Sequence, residues 1–307
     1  FGFMDVSYLI TVFNKENEIK ETISCLQNQT LKSSINIEII CIDDFSSDKS
    51  IKILEKLQNE DKRIQIIKNQ INLGPSKSLN IAAKTAKGKY LIPIDGDDFF
   101  PKDATQYLLE TANKHNVELV FGLSKRTKDV PNKVTYISSE EIHRDPLDFC
   151  IKKSIVHMGF LASNKLWEIS GGVDETVFIQ DMSLPLRLSA YADSLVYLNS
   201  IIYFLRDESD SNLSNNTNQQ HHDRYMTYLN LTKINDIELS PESLDGINAK
   251  LISSIWKIKR DNSMFAPFSK NFFLYLANKI FNYKLNKKEQ IYWLDYFKSL
   301  DSIKRPN

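Results

Sequence analysis

The sequence has few cysteines, no net charge and no long apolar run, and each shortage excludes a class of protein. Its 307 residues include three cysteines, Cys25, Cys41 and Cys150, too few for a disulfide framework and without metal-site spacing. No run is long enough to cross a membrane, and the amino end lacks the layout of a signal peptide. The 39 basic residues balance the 39 acidic ones, so no nucleic-acid partner is expected. We therefore expect a cytoplasmic globular protein with reduced cysteines.

What the sequence does contain is a regular alternation of apolar runs and amphipathic segments up to residue 98. Apolar runs at 6–13, 37–42, 64–67 and 90–94 predict buried strands, and the segments between them predict helices. Gly74 and Pro75 open the third helix, and Gly88 is predicted to end it as a left-handed cap. The pattern predicts an α/β fold with a mostly parallel sheet and helices on both faces. Pro93 lies inside a central strand, so we expect an unpaired position or a bulge there.

Acidic residues follow two of the predicted strands at their carboxyl ends. They are Asp43 and Asp44 after the second strand, and Asp95, Asp97 and Asp98, with Gly96 between the first two, after the fourth. Ligands of open parallel sheets bind at this edge, and carboxylates crowded together are costly without a cation among them. Such oxygen ligands suit Mg²⁺ or Mn²⁺, especially where substrate phosphates complete the coordination. The alternative for one such turn is an acidic surface loop without a ligand.

Four motifs in order resemble the nucleotide-sugar-binding half of family 2 glycosyltransferases, which have the GT-A fold. They are Leu9 to Glu16, Ile42 to Asp48, Asn72 to Gly74 with the later Asn80, and the D-x-D motif Asp95 to Asp97. The resemblance implies a metal-dependent inverting transferase that moves a sugar from a UDP-sugar to a hydroxyl of a glycan or lipid-linked acceptor. It also implies a place in the synthesis of a surface polysaccharide.

The resemblance assigns roles to single residues. Thr11, Phe13 and Asp44 would hold the uracil and ribose of the donor, and Asp95 would lie near the ribose and sugar. Asp97 would bind the metal ion, with Asp95 and Asp98 as further ligands. The other residues of the nucleotide-sugar site would be Glu16, Asp43, Asn72, Gly96 and Arg206. The residue types alone leave three alternatives open, namely Phe13 in the core, Asp44 as a turn residue and Arg206 in a surface ion pair.

A second motif lies at residues 171–181. In the family that the chain resembles, a Gly-Gly-x-Asp-Glu segment precedes a Glu-Asp pair, whose aspartate is the catalytic base. Here the segment is Gly171 to Glu175, Gln180 replaces the glutamate, and Asp181 keeps the position of the base. We expect Asp181 at the amino end of a helix, where the alternative role is an N-cap. Loss of the adjacent negative charge predicts a slightly weaker base.

The segments around this motif are less informative. The polar stretch 125–148 predicts an excursion over the acceptor side, and 194–198 and 201–205 predict two short strands. His221 and His222 are candidates for a metal-binding histidine that some family members have. The alternative is that both lie in a solvated helix start.

From residue 240 the resemblance fades and three amphipathic helices are predicted. We therefore divide the chain into a GT-A domain, 1–235, with a nucleotide-sugar half at about 5–100 and an acceptor half at about 101–235, and a helical extension, 236–307. Residues 250–307 carry 12 basic and 4 acidic residues together with several aromatics. These aromatics either pack on the catalytic domain, with the lysines in solvent, or rest on an anionic membrane near a lipid-linked acceptor.

Two other functions remain open on the residues. A sugar nucleotidyltransferase also uses a D-x-D site, although it normally needs a glycine-rich basic loop, and Thr11 to Glu16 has no glycine. A non-catalytic protein that binds sugar nucleotides is suggested by Gln180 alone.

Overall fold

A computed structural model describes residues 4–128, 139–155, 157–207, 216–262, 269–300 and 302–304. The strands are β1 (Val6–Val12), β2 (Ile37–Asp43), β3 (Ile64–Lys68), β4 (Tyr90–Asp95), β5 (Leu119–Thr127), β6 (Glu140–His143), β7 (Phe160–Ser163) and β8 (Leu195–Arg206). The helices are α1 (Ile19–Gln27), α2 (Ser50–Glu60), α3 (Pro75–Thr85), α4 (Ala104–His115), α5 (Pro146–Lys153), α6 (Asn164–Ser170), α7 (Gln180–Tyr191), α8 (Thr217–Leu231), α9 (Pro241–Asp261), α10 (Lys270–Phe281) and α11 (Lys287–Lys298).

The strands form one sheet in the order β3-β2-β1-β4-β7-β5-β8-β6. The neighbours from β3 to β4 are parallel, and so are β5 and β8. In contrast, β7 runs antiparallel to both β4 and β5, and β6 runs antiparallel to β8. The parallel arrangement predicted from the alternating pattern is therefore confirmed in the amino-terminal half, and the other half of the sheet is mixed.

The central strands are covered on both faces, as their continuous apolar runs predict. All seven residues of β2 are buried, and in β1 only Thr11 is partly exposed. Since successive side chains of a strand point to opposite faces, both faces of the sheet must be packed. Helical segments α1 and α3 bury Ile23 and Leu79 in the same core.

Pro93 pairs with Leu9 of β1 on one side of β4 and is unpaired on the other. The ladder between β4 and β7 includes only Tyr90 and Leu91, so among the described residues no strand lies opposite Pro93 on that second side. Two residues on, the Asp95 N–H donates to the Tyr203 hydroxyl at 3.1 Å instead of to a strand. A proline is tolerated there because its missing N–H has no partner strand to lose.

Two predicted details are wrong. Helix α3 ends at Thr85 and leaves through Ala86 in an extended conformation, so Gly88 is not a left-handed cap. Gly88 is instead required by packing, because a Cβ atom added there would lie 2.5 Å from the Ser7 nitrogen. The two strands predicted around residue 200 are the single strand β8, whose register against β5 shifts on both sides of Leu123. That irregular pairing accounts for the interrupted sequence pattern.

The carboxyl-terminal part contains the three helices predicted after residue 240, α9 to α11. Ile255, Ile258 and Phe297 belong to the same core cluster as the sheet. Of the predicted excursion at 125–148, the first residues extend β5 and Glu140–His143 forms β6, while 129–138 lie outside the described residues. Throughout the described ranges, no helix combines the length and the apolar character needed to cross a membrane.

Candidate active site

The turn after β2 places two neighbouring aspartates in different environments. The Asp44 carboxylate accepts hydrogen bonds from Asn69 Nδ2 and Leu73 N, both at 2.8 Å, and from Gly74 N at 2.9 Å. Asp43 Oδ2 accepts one backbone N–H at 3.2 Å, whereas its Oδ1 is buried without a partner. Asp44 therefore ties β2 to the start of α3, as its alternative role as a turn residue predicts. Among the described residues, Asp43 Oδ1 remains a hydrogen-bond acceptor without a donor.

Two phenylalanines are exposed beside these strand ends. Phe13 is 46% exposed, so the interpretation of Phe13 as a core residue is wrong. Phe45, which the sequence analysis missed, is 56% exposed and has a left-handed backbone with φ of 66°. A bulky residue in that conformation is strained, and strained residues concentrate at functional sites. Nothing in the sequence distinguishes Phe45 from a buried phenylalanine.

Glu16 and Asn72 connect the loops around this turn. Glu16 Oε2 accepts the Lys49 N–H at 2.9 Å, and the Glu16 N–H donates to Asp48 Oδ2 at 2.9 Å. Asn72 Nδ2 donates to the Asp44 carbonyl at 3.3 Å. These contacts hold the loops after β1, β2 and β3 together at one edge of the sheet.

The aspartates of the turn after β4 also lie in different environments. Asp97 forms an ion pair with Lys15, and both side chains are largely buried. Asp98 is buried and accepts the Tyr203 hydroxyl and the Arg206 N–H, each at 2.8 Å. Gly96 is required at the tip, because an added Cβ atom would lie 2.8 Å from the carbonyl of a β1 residue. Asp98 thus has protein partners on both oxygens, and its predicted role as a ligand stays a prediction.

Arg206 supports this turn through its side chain. Its guanidinium pairs with Glu21 at 2.7 Å, lies 4.1 Å from the centre of the Phe99 ring, and donates from Nε to the Asp97 carbonyl at 2.8 Å. The ion pair left open in the sequence analysis is therefore present.

Crowding of negative charge makes the β4 turn electrostatically unfavourable. Burial, and then the charge of Asp97, raises the pKa of Asp95 to about 6. Burial and the charges of Asp95 and Asp97 raise the pKa of Asp98 well above its ordinary value. Burial lowers the pKa of Lys15, but the attraction of Asp97 outweighs it and the net pKa is raised. Three carboxylates thus crowd one turn beside the Lys15 ammonium and the Arg206 guanidinium, which is an environment suited to a further cation.

Helix α7 brings the candidate base to the same place. Gln180 Nε2 donates to Asp95 Oδ1 at 2.6 Å, and Gln180 Oε1 is buried without a partner. Asp181 follows in the first turn of α7, where Ile179 is the N-cap, so the N-cap alternative for Asp181 is wrong. Burial, with the charges of Asp95 and Asp223, raises the pKa of Asp181 to about 8. The predicted weakening of the base by loss of the adjacent glutamate stays a prediction.

The segment before α7 is held from two sides. Asn80 of α3 donates from Nδ2 to the Val173 carbonyl and to Glu175 Oε1 and accepts the Val173 N–H, all at 2.9 Å. On the other side, buried Asp223 of α8 accepts the Ile179 N–H at 2.7 Å. Asn80 was expected from its motif, whereas Asp223 belongs to no motif and was missed.

The two candidate histidines are buried in α8. His221 Nε2 lies 2.9 Å from Asp261 Oδ2, and His222 Nδ1 lies 2.6 Å from Asp223 Oδ1. Their exposed fractions of 6% and 4% show that a solvated helix start is wrong. In the part of the chain that the structure describes, no three His, Cys, Asp or Glu side chains are arranged to hold a metal ion by themselves.

Solved structures show which fold this arrangement is. S. aureus TarS 1-349, in complex with UDP-GlcNAc, matches with a TM-score of 0.66 at 17% identity, over 90% of this chain and 79% of that chain. A mannosyltransferase from Pyrobaculum calidifontis, in complex with GDP-Man and Mn²⁺, matches with a TM-score of 0.60 at 14% identity, over 97% and 85%. The chain therefore has the GT-A fold with a carboxyl-terminal helical region.

Sequence comparison gives the family. The model of "Glycosyl transferase family 2" matches residues 7–160, half of the chain, and the chain belongs to that family. A poly(ribitol-phosphate) beta-glucosyltransferase of Bacillus spizizenii is 32% identical over 40% of this chain and 19% of its own length. A GalNAc(5)-diNAcBac-PP-undecaprenol beta-1,3-glucosyltransferase of Campylobacter jejuni is 25% identical over 87% of this chain and 84% of its own. Among the first three relatives the match spans only 19–46% of their length.

Proposed function

We propose that this glycosyltransferase is metal-dependent, takes a UDP-sugar as donor and inverts the configuration of the transferred sugar. The acceptor is a hydroxyl of a glycan or lipid-linked glycan in surface polysaccharide synthesis, on the cytosolic side of the membrane. The names of two relatives support this acceptor class, since both describe glucosyl transfer to phosphate-containing glycans or carriers. The observation that carries the proposal is the 2.6 Å hydrogen bond between Gln180 and Asp95, which joins the acidic turn to the helix of the candidate base.

The nucleotide would bind at the ends of β1 and β2. Asp43 Oδ1 is a buried acceptor without a partner, and a uracil N–H supplies the donor that such an atom lacks. Thr11 lies on β1, one residue before Val12, which pairs with Asp43. Phe13 presents an exposed aromatic ring on which the base would stack. We therefore assign to Asp43 the base contact predicted for Asp44.

The chemistry of the β4 turn fits a divalent cation. Asp97 and Asp95 would hold it, while Lys15 already supplies one positive charge to Asp97. Bound there, such an ion would supply positive charge that offsets the negative charge gained by the leaving diphosphate, whose oxygens suit the same ion. Both expected ions, Mn²⁺ and Mg²⁺, suit these oxygen ligands.

Asp181 would accept the proton of the attacking hydroxyl. That oxygen forms the new bond to the anomeric carbon while the bond to UDP breaks, so a single displacement inverts the configuration. Gln180 carries no charge and holds Asp95 through its amide group. A glutamate at this position would add a fourth carboxylate to an already crowded site.

Metal-dependent release of UDP tests the proposed function. UDP-glucose, UDP-galactose and their N-acetyl forms are each incubated with Mn²⁺, Mg²⁺ or chelator, and UDP is measured. We expect release from one of these donors only with metal. Release of pyrophosphate in a parallel incubation with UTP and a sugar 1-phosphate would instead indicate a nucleotidyltransferase. Binding of a UDP-sugar without any release would indicate a non-catalytic protein.

We also propose that the helical extension rests on an anionic membrane through α10 and α11. Trp293 and Phe297 are buried, as packing on the domain predicts, whereas Phe273, Ile280 and Phe281 of α10 are 61%, 67% and 79% exposed. Exposed lysines flank these side chains and the exposed Ile291 and Tyr292 of α11; they are Lys270, Lys279, Lys287 and Lys288. Apolar side chains between lysines are the pattern of a surface that binds anionic lipid.

Vesicle sedimentation tests this contact. Vesicles of phosphatidylglycerol should bind the protein at low salt and release it as salt rises, because salt screens the attraction. Replacing Phe273 and Phe281 by serine should weaken binding at least tenfold. The matched control replaces Ile71 and Ile142, which are also exposed, and should bind as the unchanged protein does. Equal binding by the two double variants would remove α10 from the contact.

A further inference from the structure

A cluster of three cations lies where α8 packs against α9. The helices run antiparallel, since His221 meets Asp261 at 2.9 Å and Asn218 meets Asn262 at 3.0 Å. One turn further along, Arg224 of α8 therefore faces Lys257 of α9. Lys250 lies seven residues before Lys257, on the same face of α9.

These three side chains are partly buried, and no carboxylate in the described ranges forms an ion pair with them, since Asp261 attracts Lys257 only from beyond ion-pair distance. Neither Arg224 nor Lys257 has an ion pair there, and Lys250 donates its hydrogen bond to the uncharged hydroxyl of Ser154. The nearby Asp261 carboxylate is taken by His221 and Arg260.

The cations repel one another. Burial, then the charges of Arg224 and Lys257, lowers the pKa of Lys250. Burial, then the charges of Arg224 and Arg260, lowers the pKa of Lys257. Partial burial of like charges without a counter-ion is unfavourable. A bound anion would offset both the cost of burying these charges and the repulsion between them.

The cluster adjoins the candidate base. Arg224 directly follows Asp223, whose carboxylate holds the Ile179 N–H just before Gln180 and Asp181. The positive charge of Arg224 also reaches Asp181, where it opposes the effects that raise the pKa of that residue. An anion bound by this cluster would therefore lie near the base and separate from the β2 turn that is proposed to hold the nucleotide.

We propose that Arg224, Lys250 and Lys257 form an anion subsite that binds a phosphate group of the acceptor. The inference rests on the proposed transferase function, because it assigns the acceptor to that site. The recognised chemistry is a phosphate ester, which either the diphosphate of a lipid carrier or the phosphodiester of an alditol phosphate polymer could supply. Arginine and lysine together provide several charged donors for such oxygens.

Calorimetry separates these sources. The protein is first saturated with UDP and Mn²⁺, so that the donor site is filled, and then titrated with geranyl diphosphate or with a ribitol phosphate oligomer. We expect one or both to bind, and the tighter ligand identifies the source. The double variant Arg224→Gln, Lys257→Met should bind that ligand about 10- to 100-fold more weakly, the effect of losing charged hydrogen bonds.

The matched control removes two exposed charges of α2, through Lys52→Gln with Lys56→Met. It should bind both anions as the unchanged protein does. Because the cluster variant relieves repulsion, its melting temperature without ligand should not fall, whereas the rise that the anion causes in the unchanged protein should disappear. Failure of either anion to bind, or equal binding by the cluster variant, would overturn the subsite.

Failure of the proposed transferase function would be visible separately. The titration requires no turnover, so anion binding that depends on Arg224 and Lys257 would persist even if no UDP-sugar released UDP. If transfer is observed, the cluster variant should raise the KM for a phosphate-bearing acceptor and leave the KM for the donor unchanged. An equal change for an acceptor without phosphate would contradict the assignment.

Discussion

The turns after β2 and β4 have similar sequences and different electrostatics. Each contains adjacent aspartates, and in each one carboxylate is used to hold the fold, Asp44 by three hydrogen bonds and Asp98 by two. The remaining acceptors differ. Asp43 offers one buried oxygen that has no hydrogen-bond partner among the described residues, whereas Asp95 and Asp97 repel each other beside Asp98. The turn after β2 therefore suits a neutral N–H donor, and the turn after β4 suits a cation.

The largest effect is expected where α7 meets the β4 turn. Replacing Asp181 by asparagine should slow sugar transfer about 10²- to 10⁴-fold, because general-base catalysis is lost. Affinity for UDP and Mn²⁺ should stay near that of the unchanged protein, since both turns remain intact. Transfer rates and calorimetry on the same preparation check this. A wild-type rate would remove Asp181 as the base.

The roles of Asp97 and Asp98 in the β4 turn are separated by replacing each of them with alanine. Asp97→Ala should weaken Mn²⁺-dependent binding of UDP by at least about tenfold, as expected when one charged ligand is lost. Asp98→Ala should mainly lower the free energy of unfolding, by about 1–3 kcal/mol, because the Tyr203 hydroxyl and the Arg206 N–H lose their acceptor. Calorimetry and urea denaturation measure the two quantities. The reverse outcome would exchange the two roles.

The same division of roles is expected at the β2 turn, with a smaller effect on binding. Asp43→Ala should weaken UDP binding about tenfold whether or not metal is present, since a single hydrogen bond to the base is lost. Asp44→Ala should destabilise the fold, because Leu73 and Gly74 lose the acceptor of their N–H groups. UDP titrations in Mn²⁺ and in chelator check the first expectation. A loss confined to Mn²⁺ would place Asp43 with the β4 turn.

The sequence pattern indicates that the site lies at the carboxyl edge of the sheet, but it does not reveal which groups each side chain contacts. Strand ends are visible because a buried apolar run must stop where polar residues begin, and the D-x-D motif was placed in this way. Asn80, inside α3, was found through the family resemblance instead. The choice between Asp43 and Asp44 depends on where backbone N–H groups converge, which no local pattern encodes. Asp223 reaches the site from α8 through tertiary packing.

The helical extension shows a second limit of sequence patterns. Helical spacing correctly predicted α9 to α11, but it cannot distinguish an apolar face that packs on the core from one that lacks a partner. Phe297 and Phe273 therefore had the same interpretation, although the first is buried and the second is 61% exposed. The division at residue 235 stays a prediction, because Ile255 and Phe297 share one core cluster with the sheet.

A last expected effect concerns stability and pH at Asp181. In the folded protein its pKa is about 8, whereas an aspartate of an unfolded chain has a pKa near 3.9. Folding therefore takes up a proton between about pH 4 and pH 8, and stability falls as the pH rises through this window. Asparagine cannot titrate, so Asp181→Asn should match the unchanged protein near pH 4 and melt roughly 10 °C higher near pH 9, since a shift of about 4 pKa units corresponds to about 5 kcal/mol. Thermal denaturation across this range measures the difference, with the exposed Asp103→Asn as a control that should follow the unchanged protein. If the melting temperatures of Asp181→Asn and the unchanged protein depend on pH in the same way, Asp181 is ionised at neutral pH without ligand. The crowding of negative charge would then be confined to the β4 turn and would not extend to Asp181.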